Sequence, residues 1–257
     1  MTARTKTFFA SDLHLGSPYH DDPREAERLF VRWLHSIEPE ARRLILVGDI
    51  FDYWYEYRQV VPRGFTRTIG LLGEMADEGV EIHFFTGNHD IWISDYLPTE
   101  IGCTLHREAT SMELEGHRFF IAHGDEYAPS RAYAVTRAIF HSRVCQFFYG
   151  LLPAWLTIPF AQGWARRSRE RGLRKSRRLP QPEIGEEYLV RYAEADARER
   201  GGEGGEAPEY YLFGHRHRMA DHPVGDHSRV ILLGDWIKYH SYAVWDGETL
   251  TLKRYQV

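Results

Sequence analysis

Leu44-Ile45-Leu46-Val47-Gly48-Asp49-Ile50-Phe51-Asp52 is the stretch that decides the fold. Its four consecutive apolar residues read as a short buried strand, and the strand runs directly into a glycine and a carboxylate. The same order recurs on both sides. Thr7-Phe8-Phe9-Ala10 leads into Ser11-Asp12-Leu13-His14, and Val80 to Phe85 leads into Gly87-Asn88-His89-Asp90. His117 to Ala122 ends at His123-Gly124-Asp125, and Tyr210 to Phe213 ends at Gly214-His215-Arg216-His217. Open α/β sheets hold their ligands beyond the carboxyl ends of the strands, so these polar ends are expected to converge.

Helices are expected between the strands. Asp22 followed by Pro23 is a helix start, because proline suits the first helical position. Ala26, Leu29, Phe30, Trp33, Leu34 and Ile37 then follow the three-four spacing of one buried face. A second helix is expected over 66–78, with Ile69, Leu72, Met75 and Ala76 inward and Gly79 as its stop. Arg229 to Leu233, Ser241 to Trp245 and Thr249 to Tyr255 read as further strands. This order fits an α/β fold of two sheets flanked by helices, and 257 residues fit one domain over 1–257.

The net charge of -5 gives no general attraction to nucleic acid, and no nucleic-acid partner is expected. Cys103 and Cys145 lack metal-ligand spacing and read as reduced thiols, which suits a cytoplasmic chain. Residues 1–9 contain no apolar run of signal-peptide length. Histidine is the most telling count, at 14.

Residues two apart at a strand end point to the same side, so Asp12 and His14 are expected to share an ion, as are His215 and His217. Carboxylate and imidazole ligands suit Mn, Fe or Zn, while the lack of thiolate argues against a structural zinc. Any one of these motifs alone is more often a turn than a site. All five in order, each after an apolar strand, are not a chance arrangement.

The motif set resembles that of the calcineurin-like metallophosphoesterases over nearly the whole chain. The resemblance implies a four-layer αββα sandwich holding two divalent metal ions. Asp12, His14, Asp49 and His217 would hold one ion. Asp49 would bridge to a second, completed by Asn88, His123 and His215. Such a pair activates water and clamps phosphate oxygens. His89 is then the candidate donor of a proton or hydrogen bond toward the leaving group, with Asp52 to orient it. Asp90 and Asp125 are expected to support the loops.

The segment between His123 and His215 carries the specificity. Residues 127–200 are expected to contain a helical cap insertion. From Val144 to Ala165 there is no charged residue, whereas Arg166 to Arg178 holds eight basic residues against the single acid Glu170. Pro153, Pro159 and Gln146 argue against a membrane span. Two readings stay open: a buried hairpin, or an apolar cap that binds an acyl chain or rests on a bilayer. Dense cations beside the apolar stretch favour an amphiphile with an anionic head, or an anionic membrane surface.

This layout is similar to the UDP-2,3-diacylglucosamine pyrophosphatases of lipid A biosynthesis. The likeness rests on Ser11-Asp12-Leu13-His14-Leu15, Gly48-Asp49-Ile50-Phe51-Asp52-Tyr53-Trp54, the insertion, and Gly234-Asp235-Trp236. It implies cleavage of a nucleotide-linked glycolipid to UMP and 2,3-diacylglucosamine 1-phosphate with Mn²⁺. It also implies a peripheral enzyme on the cytoplasmic face of the inner membrane. Trp54, Asn88, Tyr133, Arg166 and Lys175 would touch the substrate. In one respect the chain departs from the family: His89 stands where the best-known members have arginine. Hydrolysis of another phosphoester, or a non-catalytic scaffold, are the alternatives.

Overall fold

A computed structural model describes residues 4–161, 163, 167, 182–202 and 207–256. Its first sheet contains β1 (Lys6–Ala10), β2 (Ala41–Val47), β3 (Glu81–Phe85), β4 (Thr104–His106), β10 (Ser241–Trp245) and β11 (Leu250–Arg254), in the order β11-β10-β1-β2-β3-β4. The second contains β5 (Thr110–Leu114), β6 (His117–Ala122), β7 (Tyr210–Phe213), β8 (Met219–Val224) and β9 (Ser228–Leu233), in the order β5-β6-β7-β9-β8. Strands β1 to β4 are parallel, as are β6, β7 and β9.

The alternation of side chains divides each strand between two cores. Phe8, Leu44, Leu46 and Phe84 face outward and pack with Trp33 and Leu34 of α1 (Pro23–Ile37), Leu72 and Met75 of α2 (Thr66–Asp77), and Leu97 of α3 (Tyr96–Ile101). Phe9, Ile45 and Phe85 face the other way and meet Phe119, Ile121, Leu212 and Ile231 of the second sheet. Behind that sheet, Phe120, Tyr211, Phe213 and Leu232 pack on Leu189, Val190 and Ala193 of the last helix, which spans Tyr188–Gly202. The result is four layers, αββα, as the family resemblance implied. Both faces of the central strands are covered, which is why they read as unbroken apolar runs.

Asp22 caps α1 by accepting from the backbone N–H groups of Arg24 and Glu25. Helix α2 is capped from outside. Its cap residue Phe65 makes no side-chain cap bond, and the buried Glu27 of α1 accepts from Arg67 N at 3.1 Å and Thr68 N at 3.4 Å instead. Strands β4, β5 and β8, unread in the sequence, are sheet edges. Edge strands are half-solvated and tolerate residues such as Pro223, so they lack the apolar signature of their neighbours.

The insertion contains α4 (Arg131–His141), α5 (Arg143–Gly150) and helical residues 154–161. Neither α4 nor α5 has a buried residue. Phe147, Phe148, Leu151 and Trp155 are exposed, Trp155 by 77%, so the described part of the insertion does not close on itself as a hairpin core. A row of tyrosines fastens it to the sandwich. Tyr53 meets Tyr149 hydroxyl to hydroxyl at 2.9 Å, Tyr55 donates to Gln146 O at 2.9 Å, and Tyr57 meets Thr157. No helix among the described residues is long and apolar enough to cross a membrane.

Candidate metal centre

The expected ligands leave the carboxyl ends of β1, β2, β3, β6 and β7 in tight loops. Among the described residues, eight non-glycine residues have positive φ, and five of them are Asp12 (54°), His14 (47°), Asp49 (54°), His215 (61°) and His217 (47°). Non-glycine residues enter this region at a cost that only the surrounding structure can impose. Here the loops hold one another: Asp12 N donates to Gly48 O, His14 N to Asp49 O, and His215 N to Asp12 Oδ2. Three glycines make the approach possible. A Cβ at Gly48 would lie 2.5 Å from the His123 ring, at Gly87 2.3 Å from Asp49 Oδ1, and at Gly214 2.0 Å from Ser11 Oγ.

The ligand atoms converge. His217 Nε2 lies 3.3 Å from Asp12 Oδ1 and 3.2 Å from His14 Nε2. Asp49 Oδ2 stands between His14 Nε2 at 3.6 Å and His123 Nε2 at 3.3 Å. Asp12, His14 and His217 form one group able to hold a metal ion, and Asp49, His123 and His215 form another. A third such group, His14, Asp49 and His89, brings His89 close as well. Asp12 Oδ1 and Asn88 Oδ1 are buried without a hydrogen-bond partner. Buried acceptors left unpaired are costly, and a cation is the partner this oxygen and nitrogen set fits.

Three of the imidazoles are fixed from behind. His14 Nδ1 faces Asp52 Oδ1 at 3.2 Å, His123 Nδ1 faces Val47 O at 2.9 Å, and His217 Nδ1 faces Asp235 Oδ2 at 3.2 Å. With Nδ1 donating backward, each Nε2 lone pair points into the site. Burial works against charge on Asp49, but His123, His89 and His14 hold its carboxyl well below the usual range. Burial, followed by the neighbouring His123, drives His215 down to about 3, so it is neutral and ready to ligate.

Asp90 is buried and accepts from Gly87 N at 2.7 Å and Ile50 N at 2.8 Å, tying the β3 loop to the β2 loop. Asp125 accepts from Tyr133 Oη at 3.1 Å and Arg137 Nε at 3.0 Å, which seats Tyr133 with its ring 6.3 Å from that of His215. His89 Nδ1 faces the backbone Asp52 O at 2.9 Å, while the Asp52 carboxylate lies nearer to His14 than to His89. Trp54 is not brought to the site. It is fully buried, tilted against the rings of Phe51 and Phe65, with Nε1 donating to Glu56. Arg166 and Lys175 lie outside the described residues.

The sequence reading missed Asp235 as the partner of His217. The signal was there: Leu232-Leu233-Gly234-Asp235 repeats the strand-glycine-carboxylate order of Leu46-Val47-Gly48-Asp49.

The calcineurin-like phosphoesterase family profile matches residues 5–219. A UDP-2,3-diacylglucosamine hydrolase from Porphyromonas gingivalis is 44% identical, the alignment covering 97% of each chain. One of the same name from Haemophilus influenzae is 26% identical over 91% of this chain and 92% of its own. Among solved structures, a dimetal phosphatase from Danio rerio aligns with a TM-score of 0.49 at 14% identity, covering 98% of this chain and 96% of its own.

Proposed function

The chain belongs to the calcineurin-like phosphoesterase family and is a metal-dependent hydrolase; on that premise we propose that it cleaves the diphosphate of UDP-2,3-diacylglucosamine, giving UMP and 2,3-diacylglucosamine 1-phosphate. The likeness to the Porphyromonas gingivalis hydrolase along nearly its full length supports this substrate. The observation that carries the chemistry is the unpaired, buried Asp12 Oδ1 and Asn88 Oδ1 amid inward-facing imidazoles.

In this reading Asp12, His14, Asp49 and His217 hold one cation, and Asp49, Asn88, His123 and His215 hold the other. The position of Asp49 Oδ2 between His14 and His123 supports its bridging role. Two Mn²⁺ ions there would acidify an attacking water and neutralise charge on the phosphate oxygens. Asp52, Asp235 and the Val47 carbonyl keep the ligating rings aimed inward. We assign His89 the hydrogen bond to a phosphate oxygen or the leaving group, a role supported by its partial burial and its edge-on position to His14, with ring centroids 4.7 Å apart. Asp52 anchors the His89 ring through its carbonyl oxygen. Tyr133 stands beside the centre with its hydroxyl on Asp125, and it is our candidate substrate contact from the insertion together with Arg166 and Lys175.

The exposed apolar side chains of α5 and of helical residues 154–161 would receive the acyl chains or rest on the membrane. With the basic run that follows, they support a peripheral position on the cytoplasmic face of the inner membrane. The test is release of UMP from the diacylated nucleotide sugar by Mn²⁺-loaded protein, with Asp49→Ala as the inactive control. Hydrolysis of small diesters without UMP release would reject the substrate and leave a different phosphodiesterase.

A further inference from the structure

A cavity of about 260 Å³ lies between the β3 loop, which carries Asn88 and His89, and the insertion. Thr86, Trp92 and Ser94 line it from the loop side, and His141, Arg143 and Gln146 line it from α4 and α5. Arg107 closes it from the segment after β4. Its lining residues thus include two arginines and a histidine, and no acidic residue. The Arg107 guanidinium donates to the Ile93 and Ser94 carbonyls at 2.7 and 3.3 Å, which fixes it without neutralising it. Among the described residues Arg143 forms no ion pair. His141 Nε2 is buried and has no hydrogen-bond partner. Helix α5 begins at Arg143, one of the lining residues, and its cap residue Ser142 makes no side-chain cap bond.

We propose that this cavity is a binding site for a phosphate monoester, held by Arg143, Arg107 and His141. A cationic pocket without its own counter-ion is matched by a dianion with several acceptor oxygens, and guanidinium groups meet phosphate with paired hydrogen bonds. Its volume is just below that of pockets for drug-sized ligands, which suits a small phosphorylated sugar or nucleoside seated against Trp92. The nearest acid felt by His141 beyond Asp125 is Glu108, which does not line the cavity. Neutral His141 serves as a donor once its ring turns a proton toward the ligand, and burial together with the nearby Arg137 favours that neutral form. The site stands on these residues alone, whatever substrate the metal centre takes.

The test is calorimetric titration of the full chain with inorganic phosphate, UMP and glucose 1-phosphate, first loaded with Mn²⁺ and then with the metal chelated. A binding event that survives chelation is expected. It should weaken by about tenfold or more in Arg143→Gln and His141→Ala. Arg143→Lys should retain part of it, and Arg24→Gln, an exposed cation elsewhere, should leave it unchanged. Tighter binding of UMP or of the sugar phosphate than of phosphate identifies the organic part that Trp92 accepts. Loss of every event on chelation, or equal affinity in Arg143→Gln and the unaltered protein, would overturn the proposal.

Discussion

At Gly87 a single methyl group would stand 2.3 Å from Asp49 Oδ1 and 2.6 Å from Asp49 N. Gly87→Ala is therefore expected to displace the shared carboxylate. Bound metal should fall below two ions per chain by elemental analysis, with folding stability lowered by about 1–3 kcal/mol. Asp235 acts one step further out, through His217 Nδ1. Asp235→Ala should cost about ten- to a hundredfold in metal affinity, read by competition with a chelator. At this scale the strand-end motifs pointed to side chains that do converge, but not to how they reach each other. Asp12 and His14 were expected to share a side because strand residues alternate. Yet β1 ends at Ala10, and both residues adopt left-handed backbone held by bonds to Gly48 and Asp49. That conformation depends on a loop beginning 36 residues further along, at Gly48, and has no local signature.

Among the elements, α1 and β2 were legible because a buried face leaves a periodic apolar trace. Glu27 was not. It sits on the buried face of α1 and caps α2, so its carboxylate is satisfied only by a helix 40 residues on. Glu27→Ala should lower stability by about 0.5–2 kcal/mol, measured from the denaturation midpoint. A second expectation concerns β3 and β4, where His83 Nδ1 and His106 Nε2 are 3.0 Å apart. Burial, and then His83, lower the pKa of His106 in the folded state. The unfolded chain therefore takes up this proton first. Its contribution is complete above the ordinary histidine value of about 6.5 and is lost as the pH falls from there through the lowered value of the folded state. His106→Gln should flatten that acid limb in thermal melts recorded against pH.

The whole molecule joins a closed four-layer sandwich to an insertion whose described part leaves several large apolar side chains exposed. Trp155 and Phe147 are exposed by 77% and 63%, more than a soluble surface normally shows in one place. Phe147→Ser with Trp155→Ser should reduce co-sedimentation with anionic phospholipid vesicles by about tenfold. The same pair should leave turnover of a small soluble diester unchanged. The sequence alone determined the two sheets flanked by helices and the polar motifs at the strand ends, because apolar periodicity and strand-end motifs are local properties of the chain. Tertiary structure decided what depends on distant partners. It drew Trp54 into the core, gave the Asp52 carboxylate to His14, supplied Asp235 behind His217, and left apolar side chains of the insertion's described part exposed. Each of these turns on which groups meet across the fold, and a linear sequence does not state such meetings.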